Sequence, residues 1–278
     1  MNLKLTLLLV VCLGVFINKE VNGHGYMIHP PNRASLWRID WRQPSNYEDN
    51  EFFCGGTHVQ YVLNGGKCGP CGDNWSDPVP RSNENGGTYG NGLIFVNYTA
   101  GEVIPVTSIL TANHLGSLHY SLCELTDPSQ PETEECFKPL RLADGTASTQ
   151  LNVRDYQVIS LVKLPDDFAC DRCVLRWHYR TGNSWGDCPD GSGGVGCGDQ
   201  EVFRSCADIR ILPKDSDVPN PPEVPVVSTE PPPPPSQPPV EPDSSEETDS
   251  EEYELVCHYK PKSRKTHVED VKKILLNP

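Results

Sequence analysis

The chain has 278 residues, 36% of them hydrophobic, and a formal net charge of −15 at pH 7. This length allows one domain of ordinary size with a sizeable core, together with extensions. The acidic balance, without a basic stripe, argues against nucleic acid and anionic membranes as partners and favours a neutral one.

Residues 1–23 have the pattern of a secretory signal. An apolar run extends from Leu5 to Phe16, which at about a dozen residues is too short to span a bilayer as a helix. Small residues stand before the expected cleavage point after Gly23, and no later stretch is apolar enough to cross a membrane. We therefore expect a secreted, extracellular protein that begins at His24 with a free α-amino group.

The number of cysteines after the signal is consistent with secretion. Ten lie within the expected domain: Cys54, Cys68, Cys71, Cys123, Cys136, Cys170, Cys173, Cys188, Cys197 and Cys206. In an oxidising compartment this even number predicts five disulfides, whose pairing the sequence leaves open. The C-x-x-C spacing of residues 68–71 and 170–173 also occurs in zinc knuckles, an alternative that the secretory signal disfavours. Asn74 and Asn97 are N-glycosylation acceptors on this route.

Residues 24–213 have the periodicity of β-strands. Short runs rich in β-branched and aromatic residues alternate with Gly, Pro, Asn and Asp clusters, and no segment has the pattern of a long amphipathic helix. The runs cover residues 92–110, 118–125, 156–164, 173–180 and 201–212. The pattern predicts an all-β domain, an immunoglobulin- or fibronectin-like antiparallel β-sandwich with Greek-key connections. Long disulfide-tied loops are expected at 30–90 and 181–200.

The composition changes after this domain. Residues 214–250 are rich in proline and acidic residues and have too little apolar surface to offset the entropy of ordering, so we expect an extended acidic linker. Residues 251–278 form a short basic tail without an assigned role, which we expect to be disordered or weakly helical. Cys257 has no evident partner there, so it either pairs between chains or stays free.

Two histidines suggest a metal site among the loops at one end of the sandwich. A mature His24 would offer its α-amine and its ring Nδ1 to one ion, both neutral donors at modest pH. His114 stands where an apolar run breaks into Asn-His-Leu-Gly-Ser and then resumes, which predicts a turn between strands. Two imidazoles and one amine form a nitrogen-only set that favours copper. A solvated loop histidine is the alternative for His114.

Phe203 is a third candidate for this site. It alternates with Ala207, Ile209 and Ile211, so it faces inward near the start of its strand. An aromatic ring there could shield an axial position of the metal. The alternative is that Phe203 belongs to the hydrophobic core alone.

Several segments of the domain match one known family. They are "HGYMIHPPNRASLWR" at 24–38, "CGG" at 54–56, "NGGKCGPCGD" at 64–73, "ENGGTYGNG" at 84–92, "TANHLGSLHYSL" at 111–122 and "CGDQEVFRSCADIRI" at 197–211. With them the domain resembles the lytic polysaccharide monooxygenases, specifically auxiliary activity family fifteen, typical of arthropods and other invertebrates. The resemblance covers essentially all of residues 24–213, and it requires a histidine at the predicted cleavage point.

The resemblance implies roles for particular residues. His24, through its amine and ring, and His114, through its ring, form a copper histidine brace. Ala112 matches the small residue that packs beside the copper and limits axial access. Phe203 matches the axial aromatic, which is Tyr in some members, and the Phe excludes a phenol-based role at that position.

The strand pattern adds a polar group to this set. Glu201, two residues before Phe203 and so on the same strand face, is the candidate that steers oxygen or peroxide from outside the coordination sphere. Gln200 replaces it if the strand starts one residue later.

The implied activity is oxidative cleavage of glycosidic bonds, at C1, in crystalline chitin or cellulose, by a monomer. It requires one copper ion, an external electron donor and O2 or H2O2 as co-substrate; the axial Phe favours chitin. A glycosidase would need two flanking carboxylates, and no such pair can be identified from the sequence. The competing hypotheses are a non-catalytic secreted chitin-binding module, with His24 incidental, and a zinc hydrolase, which lacks the H-E-x-x-H motif.

Overall fold

A computed structural model describes residues 24–214 of the chain. The predicted signal, the linker beyond residue 214 and the tail with Cys257 lie outside the described residues. Within the described part, no helix is long and apolar enough to cross a membrane.

The described residues form an all-β structure, as the sequence predicts. The strands are β1 (His24–His29), β2 (Val96–Thr99), β3 (Val103–Ala112), β4 (Ser117–Glu124), β5 (Lys138–Pro139), β6 (Arg141–Leu142), β7 (Thr149–Gln150), β8 (Gln157–Lys163), β9 (Cys170–Arg180), β10 (Trp185–Asp187), β11 (Gly193–Val195) and β12 (Val202–Leu212). One sheet has the order β1-β3-β8-β6, and the other has the order β2-β12-β9-β4-β5 with β7 beside β4. β10 and β11 form a separate hairpin.

The two large sheets pack together because each has one apolar face. In β3 every second residue is buried, including Ile104, Val106 and Leu110, while the residues between them face outward. From the other sheet, fully buried Trp177 and Leu118 join the same core. Burial of these large side chains is the main stabilising contribution to the sandwich.

The structure corrects three details of the strand prediction. The run 92–110 is divided at Gly101, whose φ of 78° is left-handed and whose added Cβ would lie 2.6 Å from Asp166. β2 pairs with β12 in parallel, not antiparallel, because β2 follows a long loop that can deliver it in either direction. The expected loop 181–200 contains the β10–β11 hairpin.

The long loop 30–90 contains only short helices. A 3-10 helix spans Arg33–Arg38 and a π-helix spans His58–Leu63. A further 3-10 helix, Glu134–Cys136, lies outside this loop. The first of the three begins where Asn32 accepts hydrogen bonds from two backbone amides of its first turn.

All ten cysteines of the domain form disulfides, so the predicted number of five is confirmed. The pairs are Cys54–Cys68, Cys71–Cys206, Cys123–Cys136, Cys170–Cys173 and Cys188–Cys197. The two C-x-x-C segments therefore carry no free thiolates, and the zinc-knuckle alternative is wrong. Four pairs close short loops, whereas Cys71–Cys206 joins the long loop to β12.

A buried ion-pair cluster supports the same junction. The Arg33 guanidinium donates two hydrogen bonds of 2.8 Å to Asp208 and one of 2.6 Å to Glu132. Burial alone would lower the pKa of Arg33, but the two carboxylates outweigh it, so its pKa is raised. We refer to Arg33, Glu132 and Asp208 as the buried cluster.

Candidate metal centre

Five strand ends meet at one end of the sandwich. β1 begins there at His24, which pairs with Ala112 at the end of β3. β4 begins at Ser117, and Ser117 and Val202 both pair with Arg180, at the end of β9. The antiparallel connections thus bring the N-terminal residue of the domain beside the β3–β4 turn and the start of β12. We call this region the metal end.

His24 contacts a carboxylate that no sequence pattern identifies. Its Nε2 lies 3.1 Å from Oε1 of Glu51, and the two side chains are 27% and 40% exposed. A carboxylate oxygen only accepts, so Nε2 carries the hydrogen of this contact, and in the neutral ring Nδ1 is the nitrogen with the lone pair. The neighbouring Asn50 carbonyl accepts a 3.1 Å bond from the Gly25 amide, which ties this loop to β1.

His114 lies in the turn between β3 and β4, where the sequence predicts it. Asn113 Oδ1 accepts a 2.8 Å bond from the Leu115 amide, and Leu115 has a left-handed φ of 57°. The amide of His114 donates a 2.9 Å hydrogen bond to the Tyr179 hydroxyl, and its carbonyl accepts one of 2.9 Å from Gly182. The backbone at His114 is therefore fixed from both sides.

The ring of His114 is buried and incompletely hydrogen-bonded. The residue is 7% exposed, and its Nδ1 has no hydrogen-bond partner within residues 24–214. Nδ1 lies 3.8 Å from Oε2 of Glu201, which is beyond hydrogen-bond distance. Burial, and then the nearby His24, lower the pKa of His114, which favours the neutral imidazole that binds metal.

Phe203 serves both the core and this site. It is fully buried, and its ring stacks on Tyr179 with a centroid distance of 5.7 Å and an interplanar angle of 25°. It also contacts Phe53 at 6.1 Å and lies 6.5 Å from the His24 ring. The two interpretations of Phe203 are thus compatible, because one face of the core reaches the metal end.

The remaining predicted site residues, Ala112, Glu201 and Gln200, differ in their location and hydrogen bonds. Ala112 is half-buried opposite His24. Glu201 is 8% exposed, directly before β12, and its carbonyl accepts a 3.0 Å bond from Thr181. Gln200, the alternative to Glu201, is fully buried, and its side-chain amide both donates to and accepts from the backbone of Ser184 at 3.0 Å. The Gln200 side chain is therefore used in hydrogen bonds to the loop, whereas Glu201 lies beside His114.

The metal end fits a copper ion chemically. Nδ1 of His24 is available because Nε2 is engaged by Glu51, and the ring of His114 is neutral, buried and incompletely hydrogen-bonded. Nitrogen donors of this type favour copper among divalent ions. The other close set of potential ligands, Cys71, Glu132 and Cys206, offers no thiolate, since its two sulfurs are bonded to each other.

Comparison with known proteins agrees with this chemistry. The family model described as lytic polysaccharide mono-oxygenase, cellulose-degrading, matches residues 24–209. Among solved structures, the lytic polysaccharide monooxygenase AA15 from Thermobia domestica in the Cu(I) state is 45% identical, with a TM-score of 0.66. The match covers 68% of this chain and 99% of that one.

Two more distant structures also match. A chitin binding domain from Burkholderia pseudomallei is 12% identical with a TM-score of 0.38, over 69% of this chain and 100% of that one. LPMO10B from Micromonospora aurantiaca is 14% identical with a TM-score of 0.36, over 67% and 99%. No curated protein matches the chain significantly.

Proposed function

The chain belongs to the lytic polysaccharide monooxygenases, which are copper-dependent oxidoreductases, and from this premise we propose that His24 and His114 hold its single copper ion. His24 contributes its α-amine and Nδ1 after cleavage behind Gly23, and His114 contributes its ring. The catalytic domain is then residues 24–213, followed by the linker 214–250 and the tail 251–278, in a secreted monomer.

The state of the ring nitrogens carries this proposal. Nε2 of His24 is engaged by Glu51 at 3.1 Å, while the buried Nδ1 of His114 lacks a partner among the described residues. Glu51 orients the His24 ring and fixes its tautomer, as carboxylates commonly do for metal-binding histidines. A copper ion held by these residues would, once reduced by an external donor, supply the activation of O2 or H2O2 that hydrogen abstraction from a glycosidic C–H bond requires.

The neighbouring side chains shape the site. Ala112, paired with His24, is the small residue whose methyl group would pack beside the metal and limit access to it. Phe203 closes the inner side with an aromatic ring that has no hydroxyl, so it excludes water there without offering a ligand. Glu201 holds a carboxylate 3.8 Å from the His114 ring, close enough to orient a small co-substrate or its proton.

The substrate in this proposal is crystalline chitin, oxidised at C1, with an external electron donor and O2 or H2O2 as co-substrate. The phenylalanine at position 203, whose ring lies 6.5 Å from the His24 ring, supports chitin, and the acidic net charge suits a neutral polymer. Cellulose is the alternative substrate, since the matching family is described as cellulose-degrading.

The test uses mature protein that begins at His24, loaded with copper and incubated with a reductant and β-chitin or cellulose. We expect C1-oxidised oligosaccharides from chitin. Omitting the reductant, or adding one residue before His24 so that the amine becomes an amide, should abolish them. Products with only hydrolysed ends would contradict the proposal. Adhesion to chitin without any products would instead indicate a non-catalytic binding module.

A further inference from the structure

A small cleft lies beside the metal end. It opens between the segment 46–53 and the loop 73–89, and its cavity volume is about 250 Å³. The polar side chains that line it are Asn46, Glu48, Glu51, Asp73, Ser82 and Tyr89. Ligand pockets commonly measure roughly 300–1,000 Å³, so this cleft has room for a molecule with a single ring.

One wall of the cleft is shared with the candidate copper site. Glu51 lines the cleft, and its Oε1 lies 3.1 Å from Nε2 of His24. Phe53 also lines the cleft, and its ring contacts Phe203 at a centroid distance of 6.1 Å. A molecule in the cleft is therefore separated from Nδ1 of His24, a proposed copper ligand, by one carboxylate and one imidazole.

Backbone contacts fix both walls of the cleft. On one wall, the Phe52 carbonyl accepts a 3.0 Å hydrogen bond from the amide of Arg204 in β12. On the other wall, the Tyr89 amide donates to the Ser82 carbonyl at 2.9 Å. A Cβ added to Gly90 would collide with a backbone oxygen, so the chain after Tyr89 is tightly packed. A preformed site of this kind loses little conformational entropy on binding.

The lining favours a neutral molecule that donates hydrogen bonds. Glu48, Glu51 and Asp73 are carboxylates, which only accept when ionised, and the lining contains no lysine or arginine. Anions such as ascorbate are disfavoured in such a cleft. A flat ring with two hydroxyl groups supplies donors for the carboxylates, and its faces can pack against Phe52 and Phe53.

Asp73 is suited to receive a proton from such a molecule. Burial raises the pKa of Asp73 to about 6, although Asn83 donates to its Oδ1 at 2.8 Å. Its carboxylate is therefore a stronger base than an ordinary one. Burial, and then the carboxylates of Glu48 and Asp73, raise the pKa of Tyr89. The Tyr89 hydroxyl thus keeps its proton and remains a hydrogen-bond donor.

We propose that this cleft is the docking site of the external electron donor, and that the donor is a neutral single-ring diphenol of the hydroquinone type. The proposal rests on the proposed function, because it names the donor for the same copper site. One O–H bond of the diphenol breaks. Its electron reduces copper(II) to copper(I) by way of Glu51 and His24, and its proton passes to the Asp73 carboxylate. The neutral phenoxyl radical leaves, and two such radicals disproportionate to one quinone and one diphenol.

Isothermal titration with resorcinol tests the docking step. Resorcinol has the same ring and two hydroxyl groups, but their meta arrangement does not form a quinone, so it reports binding without electron transfer. We expect saturable binding to the mature protein, with or without copper, and a Kd on the order of 1 mM for so small a ligand.

Glu48→Gln should weaken resorcinol binding about fivefold, because it removes an accepting charge and keeps the size of the side chain. Glu124→Gln is the matched control, since Glu124 is an exposed carboxylate at the end of β4 away from the metal end. It should bind resorcinol like the parent. Thermal unfolding of both variants should match the parent, which shows that they are folded.

Anaerobic stopped-flow reduction of the copper(II) protein tests the electron-transfer step. With hydroquinone, the rate should saturate with donor concentration, be inhibited competitively by resorcinol and, below saturation, fall about fivefold in Glu48→Gln. With ascorbate, resorcinol should have no effect and Glu48→Gln should not slow reduction, because losing a negative charge eases the approach of an anion.

Several results would overturn the proposal. These are a rate that is linear in hydroquinone and unaffected by resorcinol, an equal loss in Glu124→Gln, and binding of Ca²⁺ or of N-acetylglucosamine by the cleft in place of resorcinol. If the parent yields oxidised products although resorcinol does not bind, the donor docks elsewhere and the proposed function stands. If resorcinol binds in a manner that depends on Glu48 and the parent yields no oxidised products, the docking site stands and the proposed catalysis is wrong.

Discussion

The buried cluster and the metal end both place a carboxylate on or directly before β12, Asp208 and Glu201, next to a basic side chain, yet they differ in how completely their polar atoms are satisfied. In the buried cluster, Arg33 reaches Asp208, Glu132 and the Asn83 carbonyl, at 2.6 to 2.9 Å. Each carboxylate there is 8% exposed or less. The charged groups of such a cluster bind one another and not a ligand.

At the metal end the contacts are fewer and longer. His114 keeps a buried nitrogen without a partner among residues 24–214, and Glu51 and His24 remain partly exposed. A buried polar group without a partner costs free energy that a bound ligand can offset. Of these two regions, the metal end is therefore the one suited to a ligand, whereas the polar groups of the buried cluster bind one another.

The largest expected effect comes from breaking the buried cluster. Arg33→Leu leaves two buried carboxylates without a cation, so the free energy of unfolding should fall by about 3–5 kcal/mol. Denaturant titration measures it. Arg210→Leu is the control, because its contact with Asp171 is 3.5 Å long and mostly exposed, and it should change stability by less than about 1 kcal/mol. Similar effects of both variants would contradict the structural role of the buried cluster.

Removing a proposed ligand from the metal end should have the opposite effect: copper affinity should fall while the free energy of unfolding changes little. His114→Ala takes away one of three proposed nitrogen donors, so copper affinity should fall by more than the roughly 100-fold typical of outer-sphere changes. Unfolding should change little, because the Nδ1 of this ring has no hydrogen-bond partner in the described structure. Calorimetric titration with copper(II) measures the affinity. Unchanged copper binding would show that His114 is only a turn residue.

A pH-dependent stability is expected from Asp73, whose carboxylate binds Asn83 next to the buried cluster. Burial raises the pKa of Asp73 to about 6, although hydrogen bonds from Asn83 oppose the shift. Because the folded pKa lies above the unfolded one, Asp73 contributes stability below about pH 4 that is lost as pH rises through 6. Asp73→Asn should therefore gain about 2 kcal/mol relative to the parent between pH 4 and 7. Parallel stability curves for the two proteins would refute this.

The smallest effect is expected at Glu51. Glu51→Ala releases Nε2 of His24, so copper affinity should fall about tenfold because the ring is less well oriented. Glu51→Gln retains an accepting oxygen and should recover most of the affinity, which a loss of negative charge alone would not allow. Copper titrations of both variants, with the electron paramagnetic resonance spectrum, decide between orientation and charge.

Much of the fold and part of the site follow from the sequence because their signals are local. Alternating burial identifies β3, the break at Asn-His-Leu-Gly-Ser places His114 in a turn, and the even cysteine count predicts five disulfides. The resemblance to one family, carried by the segments around His24 and His114, was confirmed by the comparison. Strand periodicity and turn chemistry depend on residues close together in the chain, so they can be predicted from the sequence.

Other features were decided only by the tertiary structure. The pairing of Cys71 with Cys206 and the contact of Glu51 with His24 join segments far apart in the chain. The same holds for the Gln200 side chain, which binds the backbone of Ser184, and for Glu201, which lies beside His114. These contacts depend on which loops the closed sandwich brings together at each end, and no local pattern specifies that, because side-chain periodicity sets the face of a strand but not its neighbours across the fold.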